Sequence, residues 1–443
     1  MVLAKRGLVL GATAFMLTTV AVMGAGLHLS QGQILSLSTS PKELVDEVWQ
    51  IINRYYVDGT FNQQDWRSLR TEYLERSYTD QADAHEAVRE MLKTLDDPYT
   101  RFMDPKEFQD MQIDTSGSLT GVGIQIAKDE ESDRLIVISP IDDSPAFNAG
   151  ILARDIIMKI DDIDTLGMNV NDAVQLIRGE RGTEVTLTIR RGEREIEFPI
   201  RRDRIEIHPV RTRIESTPMG DVAYIRLTQF NANATQDMRK ALREFEAIRG
   251  EGAIVGYVLD LRSNPGGLLN ASIDIARMWL NQGRIVSTHD RRGEVESQQA
   301  NNSALTDKPL VVMIDGGSAS ASEIVSAALQ DNRRATLVGT DSFGKGLVQS
   351  VRPLSDGSGL AVTIAEYRTP NGNSITKDQK ISPDIVVELS DEQREELQLN
   401  NDRIGTIDDP QFARSLEVLL EQVTAQRPSP PRTEAKPARI PSN

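Results

Sequence analysis

The chain has 443 residues, which corresponds to roughly two to three domains at about 150 residues each. Its formal net charge of −16 at pH 7 argues against a nucleic-acid partner, because nucleic-acid binding calls for a basic face. There are no cysteines and 4 histidines, none in a His-Glu-x-x-His pattern, which excludes a disulfide framework and argues against a metalloprotease centre. We therefore expect neither a metal site nor any other cofactor.

The N-terminus has the pattern of an export signal. Lys5 and Arg6 precede an apolar run over residues 7–27, which is the order of a signal peptide. At about 20 residues the run is also long enough to span a bilayer. Residues 1–30 are therefore predicted to be a signal peptide or a membrane anchor of an exported protein. The anchor would associate the protein with a membrane.

Residues 31–105 are predicted to form a helical arm. The Ser-Pro-Lys-Glu block at 40–43 has capping-box spacing, with proline at the first helical position. Apolar residues recur at helical spacing up to Tyr55, and a second helical pattern runs over 85–95. It ends at the Leu-Asp-Asp-Pro block at 95–98, because the residue before a proline leaves the helical region.

Residues 106–204 are predicted to form a β-rich domain. A glycine-flanked loop at 121–123 leads into an alternating strand. Further strands are predicted over residues 135–141, 155–164 and 184–190. Two helices are predicted as well, a short one over 144–150 closed by glycine and one over 170–177.

Residues 205–400 are predicted to form a layered α/β core, because strand and helix patterns alternate there. A buried strand over 254–261 ends in the Arg-Ser-Asn-Pro-Gly-Gly block at 262–267, ahead of a helical pattern over 268–280. Two glycines at such a position let backbone N–H groups point at a ligand. Residues 401–426 are predicted to form a C-terminal helical segment. Residues 427–443 are rich in proline and charge and are predicted to be a disordered tail.

A second buried strand, over 310–314, is followed by a turn of small residues and a helical pattern over 323–329. A serine in this turn, Ser320, would lie beside the unpaired N–H groups at the helix N-terminus. Lys345 follows between two glycines, near Phe343, Leu347 and Val348, and apolar surroundings can lower a lysine pKa enough to make it a base. Gln349, four residues on, shares a face with Lys345 in a strand or a helix.

Two separated blocks, Ser-Ala-Ser-Ala-Ser-Glu-Ile at 318–324 and Phe-Gly-Lys-Gly-Leu-Val-Gln at 343–349, together resemble the carboxyl-terminal processing (tail-specific) serine proteases. The resemblance implies that Ser320 is the nucleophile, Lys345 the general base and Gln349 the residue that orients the lysine. It also implies an oxyanion hole and a core of the crotonase and Clp protease type. The donors of that hole would be the N–H of Ala321 and that of either Gly266 or Gly267.

The Ser-Pro-Ala-x-x-Ala-Gly signature at 144–150 and the order of elements around it resemble a PDZ domain of the bacterial protease type. Such domains bind a peptide C-terminus by strand addition at a sheet edge, with loop N–H groups holding the carboxylate. The resemblance places substrate binding on the loop before the first strand and on the helix over 170–177. The residues concerned are Thr120, Gly121, Val122, Gly123, Ile124, Val174, Ile177 and Arg178.

These patterns predict an exported serine endopeptidase that captures and cleaves the C-terminal tails of exported or lumenal proteins, in the periplasm or the thylakoid lumen. Its partners would be proteins or peptides with free C-termini. The Gly-Thr-Phe-Asn block at 59–62 and the acidic balance favour a cyanobacterial or plastid member, for which the precursor tail of the photosystem II reaction-centre protein is a candidate substrate. Two alternatives stay open, a catalytically silent PDZ scaffold and an acyl-CoA enzyme on a crotonase-like core. If Lys345 is not the base, His208 is the first histidine to consider.

Overall fold

The computed structural model describes residues 40–129, 132–250 and 253–426. They form two compact units. Unit 1 comprises the described residues up to Phe108, Pro209–Phe230 and those from Ala234 on, and unit 2 comprises Gln109–His208 with Asn231–Asn233. The predicted export segment at 1–30 and the predicted disordered tail at 427–443 lie outside the described residues. No helix within the described ranges is long and apolar enough to cross a membrane.

The described residues contain both helices and strands. The helices are α1 (Pro41–Tyr55), α2 (Trp66–Glu75), α3 (Gln81–Lys93), α4 (Pro105–Ser116), α5 (Pro145–Ala149), α6 (Val170–Ile177), α7 (Ala234–Ala247), α8 (Leu269–Arg277), α9 (Ala321–Asp331), α10 (Asp391–Leu399) and α11 (Pro410–Gln426). The strands are β1 (Arg101–Met103), β2 (Ser118–Gly121), β3 (Ile124–Asp129), β4 (Arg134–Pro140), β5 (Ile156–Ile160), β6 (Ile163–Asp164), β7 (Glu184–Arg191), β8 (Arg194–Arg201), β9 (Asp203–Glu206), β10 (Val210–Thr217), β11 (Gly220–Leu227), β12 (Ile254–Asp260), β13 (Arg284–Asp290), β14 (Gly293–Gln299), β15 (Leu310–Ile314), β16 (Thr336–Gly339), β17 (Leu347–Pro353), β18 (Gly359–Arg368) and β19 (Ile385–Val386).

The arm of unit 1 consists of α1, α2 and α3. The Ser40 side chain accepts the N–H of Glu43 while the Glu43 carboxylate accepts the N–H of Ser40, so the predicted capping box is confirmed. Buried side chains of all three helices form one apolar cluster with Leu354, Leu360 and Val362. The arm is therefore packed against β18 and the turn that precedes it, inside unit 1.

A six-stranded sheet forms the centre of unit 1, in the order β10-β11-β12-β15-β16-β19. Successive residues of β11 face opposite sides. Ala223 and Ile225 pack into a cluster with α7, α8 and α9, and Val222 and Tyr224 pack into a second cluster with α11. Because both faces are covered, the inner strands are almost continuously hydrophobic. This is the layered α/β arrangement that the sequence predicts.

The strands β12 and β15 are parallel neighbours, with Asp260 opposite Met313 near their carboxyl ends. The loop at 261–268 follows β12, and the turn at 315–320 follows β15. The two segments therefore leave the same edge of the sheet side by side. A second sheet of unit 1 has the order β1-β18-β13-β14, with β17 paired to β18. It carries Gln349 on β17.

Unit 2 is β-rich. Its larger sheet has the order β3-β4-β5-β7-β8, with β6 paired to β5, and β2 pairs with β9. The helices α5 and α6 complete its apolar core, to which Val122, Ala146 and Ile177 contribute. Strand β3 lies at an edge of the larger sheet, directly after the loop at 121–123.

The sequence patterns missed a few elements. Helix α2 was not predicted because it is mostly polar, and only Trp66 and Tyr73 of it are buried. Strand β8 was not predicted either, although it pairs with β7 along its whole length, because its buried positions are few. Both elements gain their stability from packing against neighbours, which a local pattern does not record.

Candidate active site

A buried ion cluster holds the start of the loop at 261–268. The Arg262 guanidinium donates to both oxygens of Asp260, at 3.0 and 2.7 Å, and to both oxygens of Asp409, at 3.1 and 2.7 Å. The Tyr224 hydroxyl donates to Asp260 at 2.7 Å, and the Gly405 N–H donates to Asp409 at 2.9 Å. Since one arginine serves two buried carboxylates, these extra donors compensate the second negative charge. The cluster ties the loop to the segment just before α11.

Two glycines allow the loop to approach the neighbouring turn. Gly266 and Gly267 have φ of +103° and +141°, which only glycine adopts without strain. A Cβ on Gly266 would lie 2.7 Å from the Ala319 oxygen and 3.0 Å from the Ala321 nitrogen. The loop and the turn therefore meet backbone to backbone. The Gly266 N–H donates to Asn264 Oδ1 at 2.9 Å and is thus already used within the loop.

Ser320 ends the turn and immediately precedes α9. Its φ of 54° and ψ of −110° are strained for a residue with a side chain, so the surroundings must hold it in place. The Ala319 N–H donates to the Asn264 oxygen at 3.0 Å, and the Asp315 carboxylate accepts the Ser263 N–H at 2.8 Å. Both bonds join the turn to the glycine loop. Ser320 therefore lies at the N-terminus of α9, where the sequence analysis expects it.

The three serines of the turn have different hydroxyl partners. Ser318 Oγ donates to the Leu261 oxygen and Ser322 Oγ donates to the Asn264 oxygen, both at 2.8 Å. In the described part of the chain Ser320 Oγ has no hydrogen-bond partner, although it is buried. The two outer serines therefore fasten the turn to the loop. Only the middle one keeps a hydroxyl group available for chemistry.

Glu323, a residue that the sequence analysis did not single out, connects the turn to the lysine segment. It is fully buried. Its Oε2 accepts the Ser320 N–H at 2.8 Å and the Lys345 N–H at 2.9 Å. Its Oε1 accepts the Ser342 hydroxyl at 2.6 Å and the Gly344 N–H at 2.7 Å. One oxygen atom thus fixes the backbone of Ser320 and Lys345 at the same point. The sequence feature that could have indicated Glu323 is its Ser-x-x-Glu spacing from Ser320, which is typical of a capping box.

Lys345 lies in the loop before β17 and is 4% exposed. Burial, together with the positive charge of Arg101, lowers its pKa to about 8, against the opposing influence of Asp97 and Glu323. Its Nζ lies 4.6 Å from the centre of the Tyr99 ring. The sequence analysis expects a shift in this direction.

The surroundings of the lysine differ in part from the prediction. The side chain of Phe343 is 43% exposed and therefore supplies little of the apolar enclosure that the sequence predicts for the amine. Tyr99 supplies an aromatic surface instead. It comes from the segment after the Leu-Asp-Asp-Pro block, so no pattern near Lys345 could have indicated it.

A cavity of about 170 Å³ lies beside Lys345. Its walls include the residues Tyr99, Leu347, Tyr367 and Ile375. Apolar walls next to a buried amine form a small pocket that suits an apolar side chain.

Gln349 is fully buried on β17, opposite Thr363 of β18. Its Nε2 lies 3.5 Å from Thr363 Oγ1, and its Oε1 has no partner in the described part of the chain. The structure therefore places Gln349 in the same unit as Ser320 and Lys345, and its side-chain oxygen is not used in a hydrogen bond within the described residues.

The described histidines are occupied elsewhere or exposed. His85 Nε2 lies 2.8 Å from Asp356, and His289 Nε2 lies 3.1 Å from Ser287 Oγ. His208, the candidate for a histidine base, is exposed and belongs to unit 2. Within the described ranges none of them hydrogen-bonds to Ser320.

The predicted peptide-binding residues of unit 2 fall into two groups. Thr120 and Gly121 end β2, while Gly123, with φ of +82°, and Ile124 lead into the edge strand β3. The groove helix is α6. Its Val174 is partly exposed, Ile177 is buried in the core, and Arg178 donates to Asp110 at 2.7 Å. Val122 is also buried in the core.

The carboxylate of Glu323 is open to a direct test. In Glu323→Gln one acceptor oxygen becomes an NH₂ donor, which would face the N–H of Gly344 or those of Ser320 and Lys345. Because each unsatisfied buried donor costs about 1–3 kcal/mol, we expect Glu323→Gln to lower the free energy of unfolding of unit 1 by at least about 2 kcal/mol in urea denaturation. The exposed Glu388→Gln is the control, with an expected change under about 0.5 kcal/mol. Equal unfolding energies for the two variants would contradict this role.

Comparison with known proteins places this geometry in a family. The profile of peptidase family S41 matches residues 221–387, and that of a PDZ domain matches residues 136–191. A carboxyl-terminal-processing protease of Synechocystis sp. is 44% identical over 370 residues, which cover 83% of this chain and 86% of that protein. A chloroplastic C-terminal processing peptidase of Tetradesmus obliquus is 36% identical over 366 residues, or 79% of this chain and 78% of that protein.

A solved structure, that of a photosystem II D1 C-terminal processing protease, matches with a TM-score of 0.53 and 36% identity, covering 79% of this chain and 94% of that chain. The predicted fold class, with a helical N-terminal region, a PDZ domain and a mixed α/β protease fold, is confirmed. The protease family also sets aside the acyl-CoA alternative. The chain belongs to the carboxyl-terminal-processing proteases, serine-type peptidases of family S41 that carry a PDZ domain.

Proposed function

We propose that this protease uses Ser320 as nucleophile and Lys345 as general base. The neutral Lys345 amine takes the Ser320 proton as Oγ attacks the scissile carbonyl carbon. The resulting ammonium gives that proton to the leaving amine as the C–N bond breaks. Water then attacks the acyl-enzyme, and its proton passes through Lys345 back to Ser320. Gln349 holds the neutral amine through its side-chain oxygen.

One observation carries this proposal. A single oxygen of Glu323 accepts the N–H groups of both Ser320 and Lys345, at 2.8 and 2.9 Å. The backbone of Ser320 is thereby held close to the backbone of a lysine whose pKa is lowered to about 8. A lysine that titrates there is roughly one tenth neutral at pH 7, whereas one at 10.4 would be almost entirely charged.

The oxyanion hole would be formed by the N–H groups of Ala321 and Gly267. Ala321 is the first residue of α9, where N–H groups lack an intrahelical acceptor. Of the two glycines, Gly266 already donates its N–H to Asn264. That leaves Gly267 as the donor from the loop. Preorganised donors of this kind contribute about 3–4 kcal/mol each to transition-state stabilisation.

We further propose that unit 2 captures the free C-terminus of a protein substrate. The edge strand β3 offers unpaired backbone groups, and the loop before it supplies N–H groups for a carboxylate. Val174 of α6 would line the side-chain groove. The relatives include proteins named as cyanobacterial and chloroplastic processing proteases. We therefore propose an exported, lumenal or periplasmic location, and the precursor tail of the photosystem II D1 protein as a candidate substrate.

The proposal is tested first at the nucleophile. Ser320→Ala should fold normally and lose peptide cleavage, because no other hydroxyl can form the acyl-enzyme. Mass spectrometry of an unstructured protein incubated with the enzyme detects the fragments. Ser318→Ala is the matched control, since its hydroxyl only anchors the turn, and it should keep activity. A wild type without cleavage of any tested tail would favour the silent scaffold. Cleavage by Ser320→Ala would refute the assignment of the nucleophile.

The base is tested through pH. Since the pKa of Lys345 is lowered to about 8, the neutral fraction and hence kcat/KM should rise through pH 8 as one group loses its proton. Lys345→Ala should be nearly inactive, and Lys345→Arg no better, because a guanidinium stays charged. The control is His208→Ala, which should leave the profile unchanged. A Lys345→Arg variant with near wild-type rates, or a His208→Ala variant without activity, would move the base to another residue.

Tail capture is tested with paired peptides. A free carboxylate would accept N–H groups of the loop at 121–123, so an amidated C-terminus should raise KM by roughly tenfold or more with kcat nearly unchanged. A terminal aspartate should also weaken processing, because the groove beside Val174 is apolar. Rates are compared for free-acid and amidated forms of one sequence. Equal rates would show that unit 2 does not read the terminal carboxylate.

A further inference from the structure

A chain of hydrogen bonds runs from the turn after α3 to the side chain of Gln349. The Asp97 carboxylate lies in the turn after α3, and its Oδ2 accepts the Thr363 hydroxyl at 2.7 Å. Thr363 Oγ1 lies 3.5 Å from Gln349 Nε2, and the two residues are opposite each other on β18 and β17. Thr363 is 1% exposed and Gln349 is fully buried. The end of the chain at Thr363 and Gln349 is therefore buried, whereas Asp97 is partly exposed.

The chemistry of the chain fixes its direction. A carboxylate can only accept hydrogen bonds, so the single proton of the Thr363 hydroxyl points at Asp97. The Thr363 oxygen can then only accept from Gln349, and it must accept from the NH₂ end of that amide. A flipped amide would bring two acceptors together in a buried place, which is costly. The Gln349 oxygen is thereby turned away from Thr363, and it has no partner in the described part of the chain.

Further bonds hold Asp97 in place. Its Oδ1 accepts the Tyr99 N–H at 2.9 Å, and its Oδ2 also accepts the Thr100 hydroxyl at 2.7 Å. The Thr363 N–H donates to Thr100 Oγ1 at 3.0 Å, and the Val57 N–H donates to the Thr363 oxygen at 2.9 Å. The segment after α1 and the turn after α3 therefore both form hydrogen bonds with Thr363 of β18. The same segment brings the Tyr99 ring to 4.6 Å from the Lys345 amine.

We propose that Asp97 is a positioning residue for catalysis, which acts through Thr363 to orient the Gln349 amide with its oxygen toward the Lys345 amine. An acceptor there binds one N–H of the neutral amine and leaves its lone pair directed at Ser320. This inference rests on the proposed roles of Lys345 and Gln349. It gives the Leu-Asp-Asp-Pro block of the arm a part in the reaction.

The decisive variant is Thr363→Val, which removes the hydroxyl but keeps the shape of a buried β-branched residue. We expect kcat to fall roughly 3-fold to 10-fold, the equivalent of one net hydrogen bond, with KM unchanged. Thr363→Ser keeps the hydroxyl and should restore most of kcat. Thr288→Val removes a buried hydroxyl from the neighbouring strand β13 and should leave kcat unaltered. Each is measured in the full chain with a free-acid peptide, alongside urea denaturation.

A double-mutant cycle separates orientation from general loosening of the fold. In a Gln349→Ala background, Thr363→Val should have no further effect on kcat, because there is no amide left to orient. Asp97→Asn also removes a negative charge that raises the pKa of Lys345, so this second cycle is measured well above pH 8, where the amine is neutral in every variant. There Asp97→Asn should lower kcat in the wild type and have no further effect in the Thr363→Val background. Additive losses in either cycle, or equal losses in Thr363→Val and Thr363→Ser, would overturn the inference.

The proposed catalytic residues and the proposed role of Asp97 can be refuted separately. If Lys345→Ala and Gln349→Ala keep wild-type kcat, the proposed catalytic residues are wrong. If those variants lose activity while Thr363→Val matches Thr288→Val, only the role of Asp97 is refuted.

Discussion

The geometry of the candidate active site depends on one buried carboxylate. Glu323 lies in the first turn of α9 and accepts four hydrogen bonds, three from backbone N–H groups and one from Ser342. A carboxylate buried without partners would be too costly to keep charged. Conversely, the N–H groups of Ser320 and Lys345 would be unsatisfied without it. Each side of this arrangement needs the other, so two segments distant in sequence are held at a fixed separation.

The same carboxylate takes part in the electrostatic balance at the lysine. Burial and Arg101 lower the pKa of Lys345, whereas Asp97 and Glu323 raise it, and the result is a value of about 8. A general base is most useful when its pKa is near the working pH. A more deeply buried lysine without acidic neighbours would have a lower pKa and be a weaker base. A more solvated lysine would have a higher pKa and stay charged. The acidic groups thus limit a shift that burial begins.

The arm is part of unit 1, which also holds the candidate active site. Its apolar faces pack with Leu354, Leu360 and Val362 near the β17–β18 turn and on β18. The segment after α3 then places Asp97, Tyr99 and Arg101 around the lysine side of the site. At the opposite end, Arg262 and Asp409 tie the glycine loop to the segment before α11. Elements from both ends of unit 1 therefore determine the geometry at its centre.

The sequence by itself determined the fold class, the protease family and which residues are candidates for the site. Hydrophobic runs and small-residue turns are local features, and the blocks around Ser320 and Lys345 carry the family resemblance within a few residues each. Only the tertiary structure decided which groups surround them. Glu323, Asp97 and Thr363 make hydrogen bonds between segments far apart in sequence, and no local pattern records such contacts. The pKa of Lys345 depends likewise on burial and on distances to charges, which exist only once β12, β15, β17 and β18 are packed together.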